Sequence, residues 1–279
     1  MILRRALLAA TAAAIACPRA AFAQPSRLSL SGMLDQGSLV IGRAEAGASV
    51  TVEGMPIRVS PQGLFAFGFE FDQTRPTKIA ARFTDGTTET QSVRPKVRMY
   101  EIQRITGLPE KYVTPPADVI ARIKHEGEAI ARARTRDTGE SWFADGFEWP
   151  VAGIISGTWG NQRILNGEPK APHFGVDIAA PTGTPIRAPA DGIVSLAQPD
   201  FYLDGGITVL DHGHGVSTCY IHQSKLLVRT NEQVSRGQII GLVGMTGRAT
   251  GPHLHWAMNW FQMKLDPSRS TRTPVPVKS

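Results

Sequence analysis

Residues 173–180 read His173-Phe174-Gly175-Val176-Asp177-Ile178-Ala179-Ala180, and far downstream stands Gly251-Pro252-His253-Leu254-His255. Four residues along a regular strand span roughly 13 Å, too far for His173 and Asp177 to hold one ion. The first segment must therefore bend. Pro172, Gly175 and Pro181 argue against a helix, while Val176-Asp177-Ile178 has β character. It reads as a loop turning at Gly175 into a strand that begins near Asp177. Gly251-Pro252 leads into a second strand, where His253 and His255 share one face and Leu254 takes the other. Both imidazoles can reach a metal, or one can bind while its neighbour stands behind it; spacing leaves these open. Three protein ligands and an open position suit a catalytic zinc, whereas structural sites fill all four positions. Six of the seven histidines lie between residues 173 and 255, so the cluster is not a scatter.

From Trp149 to about Pro267 the pattern is β with hardly any helical periodicity. Ile193-Val194-Ser195-Leu196, Gly206 to Leu210, Gly215 to His222 and Ile239 to Val243 are the clearest strands, with turns at 181–185 and Arg236-Gly237. Alternation puts Tyr220 and His222 on one face and turns Cys219 and Ile221 away, so Cys219 reads as a small buried apolar residue rather than a thiolate ligand. Asp211-His212-Gly213-His214-Gly215 resembles a metal motif, but glycines between two strands make it a hairpin turn first.

Residues 24–98 form an all-β module, with short strands at 38–42, 48–52 and 64–69 separated by turns such as Thr84-Asp85-Gly86-Thr87. Even strand spacing predicts a small immunoglobulin-like sandwich acting as a spacer or docking unit. Residues 99–148 are a helical connector: Thr114 is the expected N-cap with Pro115 after it, and Val119, Ile120, Ile123 and Ile130 mark the apolar stripe. His125 reads as a surface residue, and Trp142, Phe147 and Trp149 as packing onto the next domain. Asn161 to Lys170 is loop-like and stands just before His173, where it or the connector can lie over a cleft. Residues 268–279, rich in Pro, Ser and Arg, are expected to be disordered.

Residues 1–23 read as a secretory signal peptide: Arg4-Arg5, an apolar run from Ala6 to Ala16, and Ala21-Phe22-Ala23 before cleavage. Lipid anchoring at Cys17 and twin-arginine export rank below it. No later stretch is apolar enough to span a membrane. The formal charge of +6 comes from 30 basic and 24 acidic residues; the leader carries three arginines and no acid, so its loss leaves +3. Such a modestly basic surface favours an anionic polymer only weakly, and no nucleic-acid motif is present. Cleavage leaves Cys219 as the one cysteine, so no internal disulfide forms and burial must supply stability.

The stretch 173–185, Tyr220-Ile221-His222, and Thr246-Gly247-Arg248-Ala249-Thr250-Gly251-Pro252-His253-Leu254-His255 together resemble the signatures of lysostaphin-type (LytM-like) zinc peptidases, in order and at similar separations. The resemblance covers residues 149–267. It implies a mainly β fold with a C-terminal antiparallel β peptidase domain of LytM type. It also implies one zinc per chain on His173, Asp177 and His255, with His222 and His253 as catalytic histidines outside the ligand set. We assign base duty to His253 and oxyanion or proton-delivery support to His222. The expected activity is endopeptidase cleavage of peptidoglycan stems or cross-links, in the periplasm. The alternative is a non-catalytic or latent envelope regulator that binds another wall hydrolase, against which the presence of all five positions weighs.

Overall fold

The computed structural model describes residues 26–274; the leader, its cleavage point and the Cys17 alternative lie outside the described residues. Seven strands open the chain: β1 (Leu28–Ser31), β2 (Leu39–Ala44), β3 (Ser49–Val52), β4 (Met55–Ile57), β5 (Leu64–Gly68), β6 (Thr77–Arg82) and β7 (Thr88–Val93). They pair as one sheet in the order β1-β2-β5 and another in the order β4-β3-β6-β7. Alternation explains the packing. In β6, Thr77, Ile79 and Ala81 are buried while Lys78 and Arg82 are exposed. Leu28, Val40 and Phe65 from the first sheet meet Val50, Val52 and Ile79 from the second in one core, which makes the module a sandwich.

The connector departs from its expected form. It contains a strand, β8 (Ile102–Ile105), then a short helix, α1 (Glu110–Val113), and a long one, α2 (Ala117–Ala133). The long helix begins after Pro116, not at Thr114. A residue before proline is pushed out of the helical region, so Pro115 cannot open a helix when Pro116 follows it. The stripe is shifted too. Ile120 is 55% exposed, and Glu126, Ile130 and Ala133 are the buried residues of the helix. Glu126 is satisfied there: Tyr202 donates its backbone N–H to Oε2 at 2.8 Å, and Arg122 donates to Oε1 at 2.6 Å.

The remaining strands are β9 (Ile154–Gly157), β10 (Gln162–Leu165), β11 (Glu168–Pro169), β12 (Val176–Ala179), β13 (Pro185–Arg187), β14 (Gly192–Phe201), β15 (Gly205–Asp211), β16 (Val216–Gln223), β17 (Lys225–Leu226), β18 (Gln233–Val234), β19 (Ile239–Leu242), β20 (His253–Trp260) and β21 (Met263–Leu265). The main sheet runs β18-β14-β15-β16-β20-β12-β9, with β21 beside β20. Its ladders are antiparallel. On one face Ile178, Leu254, Trp256 and Tyr220 pack against Ile186 and Ile240 of the small sheet β13-β19-β17. On the other face Cys219, Ile221, Ala257 and Val209 lie under Ile130 and Ala133 of α2.

Residues 161–170, read as a loop, are a hairpin. Asn166 and Gly167, with φ of 49° and 92°, turn β10 into β11, and β10 also pairs in parallel with β8. Asn-Gly is a strong two-residue turn signal, so this hairpin was open to recognition from sequence. Residues 268–274 are ordered, against the expectation for the tail. Pro267–Ser270 forms a 3₁₀ turn capped by Asp266, Phe147 donates its N–H to the Ser270 carbonyl, and the Trp149 Nε1–H donates to the Thr273 carbonyl at 3.0 Å. These anchors overcome the composition bias. The sandwich is also joined to the peptidase-like half. Phe71 stacks on Tyr100 with centroids 4.4 Å apart and meets Trp159 and Phe174 edge-on, and Phe174 directly follows His173. Each such aromatic pair adds about 0.5–1.5 kcal/mol beyond its burial, so the first module steadies the loop that carries His173.

Candidate metal centre

Asp177 on β12 and His255 on β20 are direct cross-strand partners, and Ile221 of β16 faces His255 from the other side. The pairing brings residues distant in sequence to one point on the α2 face. His173 joins from the loop before β12. Its Nε2 lies 2.9 Å from His255 Nδ1 and 3.1 Å from Asp177 Oδ1, and His255 Nδ1 is 2.8 Å from Asp177 Oδ1. One ligand atom from each of the three lies within 4.8 Å of the others.

The chemistry of this donor set fits a cation. His173 Nδ1 must donate to the Thr158 carbonyl at 3.1 Å, which leaves a lone pair on Nε2. That lone pair, a carboxylate oxygen and His255 Nδ1 converge, and a divalent ion satisfies all three at once. Two imidazole nitrogens and one carboxylate oxygen are a ligand set that zinc accepts, with one position free for water or substrate. The carbonyl of Thr158 fixes the tautomer and ring orientation of His173, as partners behind metal ligands do.

His222 and His253 stand beside the trio. Their ring centroids are 4.8 Å apart, and His253 Nε2 is 3.8 Å from Asp177 Oδ1. Each is held by a carbonyl: His253 Nδ1 donates to Gly251 at 2.8 Å and His222 Nδ1 to Thr246 at 2.8 Å. Both therefore present an unprotonated Nε2. For His222, electrostatics agrees with a neutral ring. Burial first, then the neighbouring His253 and His255, pushes His222 down to about 3, and burial pushes His255 down to about 4. Burial alone would raise the Asp177 carboxyl, but the His173 and His255 rings beside it hold it well below the usual carboxylate range.

Alternation along β16 fails at its end. Tyr220 turns into the core, where its hydroxyl meets Thr218 Oγ1 at 2.7 Å, and His222 does not share its face. His222 has a φ of 65°, and this left-handed kink redirects its side chain toward His253. Consequently Cys219 and Ile221 belong to the face that carries His255, contrary to expectation. Cys219 is still buried and apolar in character, its thiol pushed up to about 11 by burial. The motif at 211–215 is the turn between β15 and β16 and takes no part in the trio. His125 is exposed on α2, and Phe147 is fully buried as packing.

Arg163 and Gly157 escaped the sequence reading, and Gly175 serves a different purpose from the turn expected of it. Arg163 Nη2 donates to Asp177 Oδ2 at 2.6 Å, occupying the carboxylate oxygen that faces away from the trio. Gly157 and Gly175 are needed for space. A Cβ on Gly157 would lie 2.5 Å from Asp177 Oδ2, and one on Gly175 would lie 2.3 Å from His255 Nε2. Gly175 is thus explained by the close approach of His255 rather than by a left-handed turn. The spacing of Gly175 before Asp177 was the only local hint.

Residues 171–267 match the model of peptidase family M23. The chain is 49% identical over 88 residues to the peptidoglycan DD-endopeptidase ShyA of Vibrio cholerae, covering 32% of this chain and 20% of that protein. It is 45% identical over 85 residues to the DD-carboxypeptidase/endopeptidase Mpg of Neisseria meningitidis, covering 30% and 19%. The match thus spans about a fifth of each curated relative's length. A solved structure described as a candidate peptidase M23 of Pseudomonas aeruginosa aligns over 85% of this chain and 93% of its own, with a TM-score of 0.62 and 26% identity. Over residues 171–267 the chain is thus similar to peptidase family M23. The last alignment extends beyond that stretch, so the arrangement of sandwich, connector and peptidase domain recurs in a second protein.

Proposed function

We propose that the protein is an exported zinc endopeptidase that hydrolyses peptide stems or cross-links of bacterial peptidoglycan. The observation that carries this reading is the convergence of His173, Asp177 and His255 within 4.8 Å, inside an M23-like domain similar to named peptidoglycan endopeptidases. In this reading His173 Nε2, Asp177 Oδ1 and His255 Nδ1 hold one zinc ion. Bound zinc supplies Lewis acidity, lowering the pKa of water from 15.7 to about 7 and polarising a carbonyl. His253, whose Nε2 is nearest the ligand set, accepts the proton of the attacking water. That proton passes to the departing amine as the peptide bond breaks. His222 presents an acceptor at rest because Thr246 fixes its proton on Nδ1. It therefore supports proton transfer beside His253 and donates to an oxyanion only after taking up a proton. The leader read at residues 1–23 carries the chain across the inner membrane into the periplasm.

The test is mass spectrometry of cross-linked peptidoglycan fragments incubated with the zinc-loaded chain, with and without chelator. New peptide termini that vanish with chelator are expected; intact fragments under both conditions overturn a constitutive enzyme.

One observation favours a latent enzyme as a second reading. Ile105 and Leu108 of the connector, with Leu165 of β10, cap the space in front of Asp177, His222 and His253, leaving a cavity of about 40 Å³. Such a volume holds water but no peptide strand. Leu108, Val113 and Leu165 form a small buried cluster that keeps the cap down. If latency holds, the Leu108→Ser variant turns over faster than the parent; equal or slower turnover with unchanged zinc content removes the reading.

A further inference from the structure

A second cavity, of about 490 Å³, lies between α2 and the metal centre and is bordered by His222 and His255. Its wall includes Arg134, Arg163, Lys170, Arg248 and Lys264, and among its lining Asp204 is the acid. Arg163 is engaged by Asp177 at 2.6 Å. Lys170 follows β11, while Arg134, Arg248 and Lys264 come from the end of α2, the 246–250 loop and β21. None of the four makes an ion pair within 4.0 Å among the described residues. The Nε of Arg134 is buried without a hydrogen-bond partner among those residues. Burial pushes Lys264 down to about 8 and Asp204 up, which shows how poorly solvated both groups are. Arg134 follows the C-terminus of α2, where a cation is favoured in any protein. No helix end explains Lys264 or Arg248.

A single carboxylate cannot balance these cations. Half-buried charge without a counter-ion is costly, and an incoming anion relieves that cost. We propose that this cavity is a substrate subsite that binds a carboxylate of the peptide close to the scissile bond, through Lys264, Arg248 and Arg134. The inference rests on the peptidase reading above and names the feature by which that site selects its peptide. Two positions on a stem peptide carry this chemistry, a free terminal α-carboxylate and a side-chain carboxylate.

The test uses the full zinc-loaded chain and cross-linked peptidoglycan fragments in three forms: native, amidated at the terminal carboxylates, and amidated at the side-chain carboxylates. Binding is followed by calorimetry, and cleavage separately by mass spectrometry. Amidation at one of the two positions is expected to weaken binding by about tenfold or more, and which position does so identifies the source. Lys264→Met and Arg248→Met should each shrink the ratio between native and amidated fragments, and Lys264→Arg should restore much of it. Equal binding of all three forms overturns the subsite, as does failure of every fragment to bind. Equal loss by the variants toward native and amidated fragments also overturns it. Chelator-sensitive cleavage without discrimination sinks the subsite and leaves the peptidase. Discrimination in binding without chelator-sensitive cleavage does the reverse.

Discussion

Two histidine-rich stretches of this chain look alike on paper and are physically opposite. In the turn at 211–215, His212 is fully buried, and both of its ring nitrogens have partners: Nδ1 donates to the Asp191 carbonyl and Nε2 meets Thr218 Oγ1, each at 2.7 Å. Thr218 in turn meets the Tyr220 hydroxyl, so a directed chain of hydrogen bonds satisfies the His212 ring. The buried ring of His214 in the same turn packs instead against Phe143, with neither nitrogen partnered among the described residues. In the second stretch, His253 has one nitrogen tied to a carbonyl and presents the other toward Asp177, while His255 Nδ1 joins His173 and Asp177. A histidine satisfied on both sides is structural. One satisfied on a single side keeps a lone pair for a metal or a proton. The distinction lies in what stands opposite each ring, not in the residue.

The largest break in this comparison comes from removing a ligand. His255→Ala should abolish stoichiometric zinc and lower turnover on the order of 10⁴-fold or more, because several kcal/mol of Lewis-acid stabilisation are lost; metal analysis and product release check both. His212→Phe should retain one zinc per chain yet unfold at lower denaturant, losing about 1–3 kcal/mol as the Asp191 and Thr218 groups are left unpaired. Equal zinc loss in the two variants would erase the contrast. Next, His253→Ala should keep its zinc and slow the chemical step on the order of 10² to 10⁴-fold, as removal of a general base does. Parallel loss of metal would instead place His253 among the ligands.

A pH titration sharpens the structural half. Burial pushes His212 down to about 4, against an ordinary value of 6.5. Between these values the unfolded chain binds more protons, so this contribution is complete above pH 6.5 and is lost as pH falls through about 4. The loss amounts to roughly 3 kcal/mol at most. Denaturant unfolding from pH 7 to 4 should show a slope that His212→Phe flattens; identical slopes refute it. The smallest effect is steric. Gly175→Ala places a methyl against His255 and should weaken zinc binding about 10- to 100-fold, the range for displaced support of a ligand, read by competition with a chromophoric chelator.

The sandwich and the peptidase-like half differ in how well local rules describe them. In the sandwich, alternation and turn residues account for β2, β3 and β5 as read from residues 38–69. Around the metal centre, the same rules locate the strands but fail at single residues. Pro116 displaces the start of α2, Asn166-Gly167 hides a hairpin inside a supposed loop, and the left-handed His222 breaks the alternation of β16. Strand β8, Ile102-Gln103-Arg104-Ile105, is short and half-exposed, and it exists because β10 pairs with it.

The amino-acid sequence by itself determined the β class, most of the strands and the residue types available to a metal, because period and turn chemistry are local. Only the tertiary structure decided which donors meet. Asp177 and His255 face each other through cross-strand register, Arg163 reaches Asp177 from a separate hairpin, and Gly157 and Gly175 supply room that no motif announces. The basic cavity is likewise assembled from α2, a loop and β21. Convergence of this kind depends on long-range packing, and a lone pair or an unpaired cation acquires meaning only from the groups that fold against it.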